Sequence, residues 1–210
     1  MQLRFRLGRT VFEMSYPLVV CMTAILLIDR SMSVVICFSS ALLHELGHIA
    51  ALRLFRCFPE RIKLTLFDIA ICCNKKNFLP TSKDIVVTLA GVAVNFFCAV
   101  SGYFLFVITN QEYFYTFVCA NLTLGIFNSM PVETLDGGQA LFLILSEHTT
   151  LIKARRILTV VSLLILFPCA CTGAYILLRS HYNFTLLLSS LYLIAVVLIR
   201  DRKPCRKPEK

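Results

Sequence analysis

Charged side chains are scarce in this 210-residue chain, at 16% of residues, against about 25% in a soluble globular domain. With 58% hydrophobic residues and a mean hydropathy of +0.77, that scarcity excludes an ordinary soluble fold and predicts an integral membrane protein. No cleavable leader is expected either, because the first apolar run is long and has no small-residue cleavage site. The ten cysteines include no C-x-x-C pair, which argues against a cysteine metal centre. Cys21, Cys37, Cys98, Cys119, Cys169 and Cys171 fall in apolar runs, and Cys57, Cys72, Cys73 and Cys205 in segments expected to face a reducing cytosol. All ten are therefore expected to be unpaired.

Apolar runs long enough to cross a bilayer lie at 11–28, 33–54, 84–109, 113–130, 157–178 and 184–200. They predict an all-α polytopic membrane protein of about six transmembrane helices, the first and fourth runs being the most interrupted by polar residues and proline. Residues 1–200 read as a single membrane domain with a catalytic core at about 33–139, followed by a basic tail at 201–210. The formal net charge of +9 is concentrated in alternate loops. Arg4, Arg6 and Arg9 precede the first run, Arg53 to Lys83 surround the second connection, Lys153, Arg155 and Arg156 precede the fifth run, and Arg200 to Lys210 follow the sixth. This pattern predicts a multi-pass protein of the cell membrane with both termini in the cytosol. It also explains the basic tail by topology and anionic lipid, so no nucleic-acid partner is expected.

Within the second run stands His44-Glu45-Leu46-Gly47-His48. Helical residues four apart lie on one face, so His44 and His48 can aim two imidazoles at one ion. Glu45 is rotated off that axis, as a general base beside the ion would be. Ionisable groups at bilayer depth are costly unless paired or functional, which favours a metal site over a polar packing cluster. The implied cofactor is one Zn2+ per chain, and the implied reaction is peptide-bond hydrolysis.

A catalytic zinc usually takes three protein ligands. His148 reads as part of a polar turn and His181 as part of a loop on the other side of the membrane, so Asp136 is the better candidate. It lies in Asn128-Ser129-Met130-Pro131-Val132-Glu133-Thr134-Leu135-Asp136-Gly137-Gly138. Proline and paired glycines there predict irregular backbone, with a plain cytosolic D-G turn as the alternative. Both the second and fourth runs descend toward the cytosol, which brings Asp136 to the same side as the histidines. Asn95, alone, reads equally as helix-packing glue. Residues 61–73 alternate and are rich in β-branched residues, predicting one or two strands at the cytosolic membrane surface. Such strands either merely connect or pair with an unwound substrate.

The H-E-L-G-H and L-D-G-G segments together resemble the site-2 protease family of intramembrane zinc metalloproteases, and most nearly its compact bacterial sporulation branch. Ala90-Gly91-Val92-Ala93-Val94-Asn95 is similar to that family's A-G-P-x-x-N pattern. The resemblance implies that His44, His48 and Asp136 bind zinc and Glu45 is the catalytic acid/base. It places Asn95 near the site, where it could bind substrate or the developing oxyanion. It also implies a membrane-tethered protein substrate, a released regulator such as a sigma factor, and regulatory membrane partners. Ser129, Thr134 and Val92 stand where the family pattern has proline; none is a ligand. No loop exceeds about thirty residues and only about ten residues follow the last run, so neither a PDZ nor a CBS domain is expected. The competing readings are an idle membrane scaffold, which would not need Glu45, and a zinc-dependent transporter, which would spread charges along several helices.

Overall fold

A computed structural model describes residues 2–7, 10–15, 31–57, 61–64, 69–72, 79–180 and 185–201, with isolated positions between 15 and 31. It forms two compact units, Met1–Ile126 and Phe127–Lys210.

Among the described residues, the first unit contains a four-stranded sheet and three long helices. Strands β1 (Gln2–Leu7), β2 (Thr10–Ser15), β3 (Arg61–Leu64) and β4 (Ile69–Cys72) lie in the order β1-β2-β3-β4. β1 and β2 are an antiparallel hairpin, β2 runs parallel to β3, and β3 runs antiparallel to β4 with Ile62 opposite Ile71. The amino-terminal hairpin corrects the start of the expected apolar helix at 11–28, whose described positions Val20, Thr23 and Leu27 are helical. Thr10–Ser15 carry β-branched and aromatic residues and pair on both sides, an interaction that apolar content alone does not reveal. Most of the remainder of that run lies outside the described residues.

Helix α1 (Met32–Leu54) ends in a Schellman motif. The Cys57 N–H donates to Leu52 O and the Arg56 N–H to Arg53 O, both at 2.9 Å. Arg56 takes the left-handed position, φ 56°, that glycine usually fills. Helix α2 (Thr81–Thr109) stops at Asn110, also left-handed at φ 52°. Helix α3 (Glu112–Ser129) then returns alongside it. A Cβ on Gly102 would lie 2.9 Å from the Phe117 ring, so this hairpin closes on a glycine contact.

Cys57 is buried and disulfide-bonded, which corrects the expectation of ten unpaired cysteines. Pairing depends on spatial separation of the Cα atoms, which spacing along the chain does not give. Cys37, Cys98, Cys119, Cys169 and Cys171 are free, as expected.

The second unit begins at the end of α3 and contains α4 (Asp136–His148), α5 (Leu151–Ser180) and α6 (Thr185–Asp201). Its core joins Val132 and Leu135 to Leu166, Leu193 and Val197. α5 and α6 meet at Gly173, where a Cβ would lie 2.7 Å from Leu187 N.

Met32–Leu54, Thr81–Thr109 and Leu151–Arg179 are long and apolar enough to cross a membrane, and Leu186–Ile199 is a shorter apolar helix. Phe97, Phe104, Ile108, Leu164, Phe167 and Leu178 are more than half exposed on these helices. A water-soluble protein rarely exposes so continuous an apolar surface, whereas lipid accepts it.

Candidate metal centre

Helix α1 buries Ser40, His44, Gly47, His48, Ala51 and Leu52 on one face. That stripe faces Val87, Gly91 and Asn95 of α2, three buried residues at four-residue spacing. His48 contacts Val87 while His44 contacts Asn95, so the two helices run in opposite directions. In an apolar surrounding no hydrophobic force draws helices together, and close backbone approach plus hydrogen bonding must do so. Gly47 supplies the approach, since a Cβ there would lie 2.9 Å from Ala90 O and 2.9 Å from Val94 Cγ2. Gly91 supplies the space for the imidazoles. A Cβ on Gly91 would run into His48 Nε2 and lie 2.8 Å from both Cε1 and Nε2 of His44.

The hydrogen bonds fix how the rings are turned. His48 Nδ1–H donates to the Val87 carbonyl at 2.8 Å, and a carbonyl can only accept. His48 Nε2 is therefore left with its lone pair. The two Nε2 atoms stand 3.2 Å apart, with ring planes at 83°. Two nitrogen lone pairs at that separation repel unless a proton or a cation lies between them. A tetrahedral zinc with two imidazole ligands needs an N···N separation of about 3.3 Å, so the pair fits the ion. Glu45 follows His44 on the next position of the helix and is half-buried.

Asn95 is fully buried, with its amide 2.9 Å from His44 Nδ1, on the side of the ring away from His48. Asn121, also fully buried, donates through Nδ2 to Ser40 Oγ at 2.9 Å, and Ser40 in turn donates to Ile36 O. Ser40 lies one turn before His44, so Asn121 ties α3 to the histidine face of α1. Only the burial of a polar residue in an apolar run hinted at this link in the sequence.

Asp136 opens helix α4, where an acid suits the helix N-terminus. This corrects the expectation that irregular backbone would hold it: the irregular segment is Met130–Leu135, just before it. That segment is pinned by the Glu133 N–H donating to Ser162 Oγ at 2.9 Å, while Ser162 donates to Leu158 O at 2.8 Å. Gly137 and Gly138 are needed for close packing, because side chains there would strike the Ser129 and Val132 carbonyls. His148 is the last residue of α4 and exposed, rather than part of a turn. His181 lies outside the described residues.

Residues 107–169 match peptidase family M50, a stretch that contains Asp136 but not the two α1 histidines. The chain is 27% identical to stage IV sporulation protein FB of Bacillus subtilis over 145 residues, 68% of this chain and 50% of that protein. It is 30% identical to zinc metalloprotease MJ0392 of Methanocaldococcus jannaschii over 128 residues, 59% of this chain and 37% of that protein. The chain thus spans half or less of the length of these curated relatives. Its fold is similar to that of the solved site-2 protease from Methanocaldococcus jannaschii, with a TM-score of 0.66, 22% identity and full coverage of both chains.

Proposed function

We propose that this site-2 protease relative is a zinc metalloendopeptidase of the membrane, cutting a membrane-associated protein in or near a transmembrane segment. The observation that carries the reading is the pair of buried Nε2 atoms 3.2 Å apart, each imidazole held from behind at Nδ1.

His44 and His48 would hold the ion through Nε2, with Asp136 as the third ligand we assign. When bound, zinc acts as a Lewis acid, polarising the scissile carbonyl and making a neighbouring water more acidic. Glu45 takes one proton from that water as its oxygen adds to the carbonyl carbon. The same carboxyl returns the proton to the amide nitrogen as the C–N bond breaks, leaving one new carboxyl and one new amine terminus.

The substrate must be locally extended before its carbonyl is open to attack. β3 is paired on both sides, so within residues 61–73 the free edge open to an incoming strand is that of β4. The charge pattern supports a multi-pass arrangement with both termini cytosolic. A membrane-tethered regulator such as a sigma factor is the substrate class that the resemblance of the H-E-L-G-H and L-D-G-G segments implies.

The test compares the soluble and membrane proteins of the source cell carrying the intact chain or Glu45→Gln, by terminal-peptide mass spectrometry. A soluble fragment formed only with the intact chain, its new terminus in or beside an apolar segment, is expected. Identical termini with all native membrane clients present would refute the protease reading.

A further inference from the structure

The two histidines are held from behind by chemically different groups. Behind His48 is the Val87 carbonyl, which only accepts, so Nδ1 of that ring always carries its proton. Behind His44 is the Asn95 carboxamide, which can donate through Nδ2 or accept through Oδ1. The amide is fully buried, and Oδ1 has no hydrogen-bond partner when Nδ2 faces the ring.

Two consistent hydrogen-bond patterns follow. With a proton on His44 Nε2, that N–H donates to His48 Nε2, and His44 Nδ1 accepts from Asn95 Nδ2. The chain Asn95, His44, His48, Val87 O then has one donor for every acceptor. With a cation at the two Nε2 atoms, the proton between them must move off Nε2, and neutral His44 carries that proton on Nδ1 instead. An Nδ1–H facing an NH2 group is repulsive, so the amide must turn to present Oδ1. Either orientation leaves one end of the amide unpaired, so the turn loses no hydrogen bond.

We propose that Asn95 is a positioning residue whose reversible amide lets His44 move its one proton from Nε2 to Nδ1 when zinc takes the place at Nε2, with Oδ1 accepting from Nδ1–H in the loaded site. This rests on the metalloprotease reading but gives Asn95 a role behind the ligand, in place of the contact with substrate or oxyanion expected from the resemblance. A buried amide on the far side of His44 from the Nε2 pair is poorly placed for that contact. A pure packing asparagine would not require an acceptor.

The test is zinc affinity of the purified full chain in detergent, by competition with a graded chelator, for wild type, Asn95→Leu and Asn95→Asp. Leucine, which cannot accept, should weaken zinc binding on the order of 10–100-fold. Aspartate, which accepts but cannot donate, should bind zinc at least as tightly as wild type. Wild-type zinc affinity in a folded Asn95→Leu protein overturns the proposal, as does weak binding by Asn95→Asp. If the leucine variant fails to fold, the aspartate variant alone decides by the same criterion. A wild-type chain that takes up no zinc would instead overturn the metalloprotease reading itself.

Discussion

Glu45 and the two histidines divide the chemistry between a base and two ligands, and substitutions should separate those tasks. Glu45→Gln keeps the shape of the side chain and removes the base. Zinc content should stay at one per chain while turnover falls by roughly 10²–10⁴, the usual worth of a general acid–base group. Loss of zinc in that variant would show that Glu45 acts as a ligand. Gly91→Ala tests the cradle, because its Cβ would meet both imidazoles. It should reduce zinc affinity by about 10-fold or more, on the scale of other disturbances of ligand orientation. Unchanged affinity would mean that α2 can shift at little cost. The histidines were legible in the sequence because four-residue spacing on a helix is a strong geometric statement. Gly91 and Gly47 were not: their importance lies in what their missing side chains would touch, on another helix. Asn95 was visible as a buried amide but its partner was not, since hydrogen bonding across 51 residues leaves no local pattern.

Secondary-structure elements tell a similar story about which information is local. Helices α1 and α2 follow from long apolar runs, and β3 and β4 from alternation in residues 61–73. The amino-terminal hairpin was read as part of a membrane helix because its apolar residues lie next to a longer apolar run, and strand pairing is a nonlocal gain. The end of α1 offers a stability test. Arg56 occupies a left-handed position that costs a residue with a Cβ about 1 kcal/mol or more relative to glycine. Arg56→Gly should therefore raise stability by about 1 kcal/mol, seen as a higher unfolding temperature in detergent; a lower one would show that the arginine side chain outweighs the backbone strain. The β4 edge offers a functional test. Proline placed in turn at each position of Ile69–Cys72 should slow cleavage at the alternate positions where the lost N–H points away from β3, with zinc content unchanged. Equal turnover at all four positions would remove the strand from substrate recognition.

At the scale of the molecule, exposed apolar surface and segregated charge describe a protein that lipid completes. The sequence conveyed that directly, since composition needs no knowledge of contacts. The number of crossings is less legible: among the described residues three helices have the length and apolarity to span, while α3 and α6 are shorter or more polar than a typical span. Reporter fusions at the two termini should both report the cytosol, and opposite sides would demand an odd number of crossings. The proposed chemistry requires that the paired Nε2 atoms of α1 hold zinc. Zinc X-ray absorption on the purified chain reads that first shell directly. The account predicts two imidazole nitrogens with oxygen donors at about 2.0–2.2 Å, and one imidazole fewer in each of His44→Ala and His48→Ala. A sulfur-containing shell, or a spectrum unchanged by those substitutions, would contradict it.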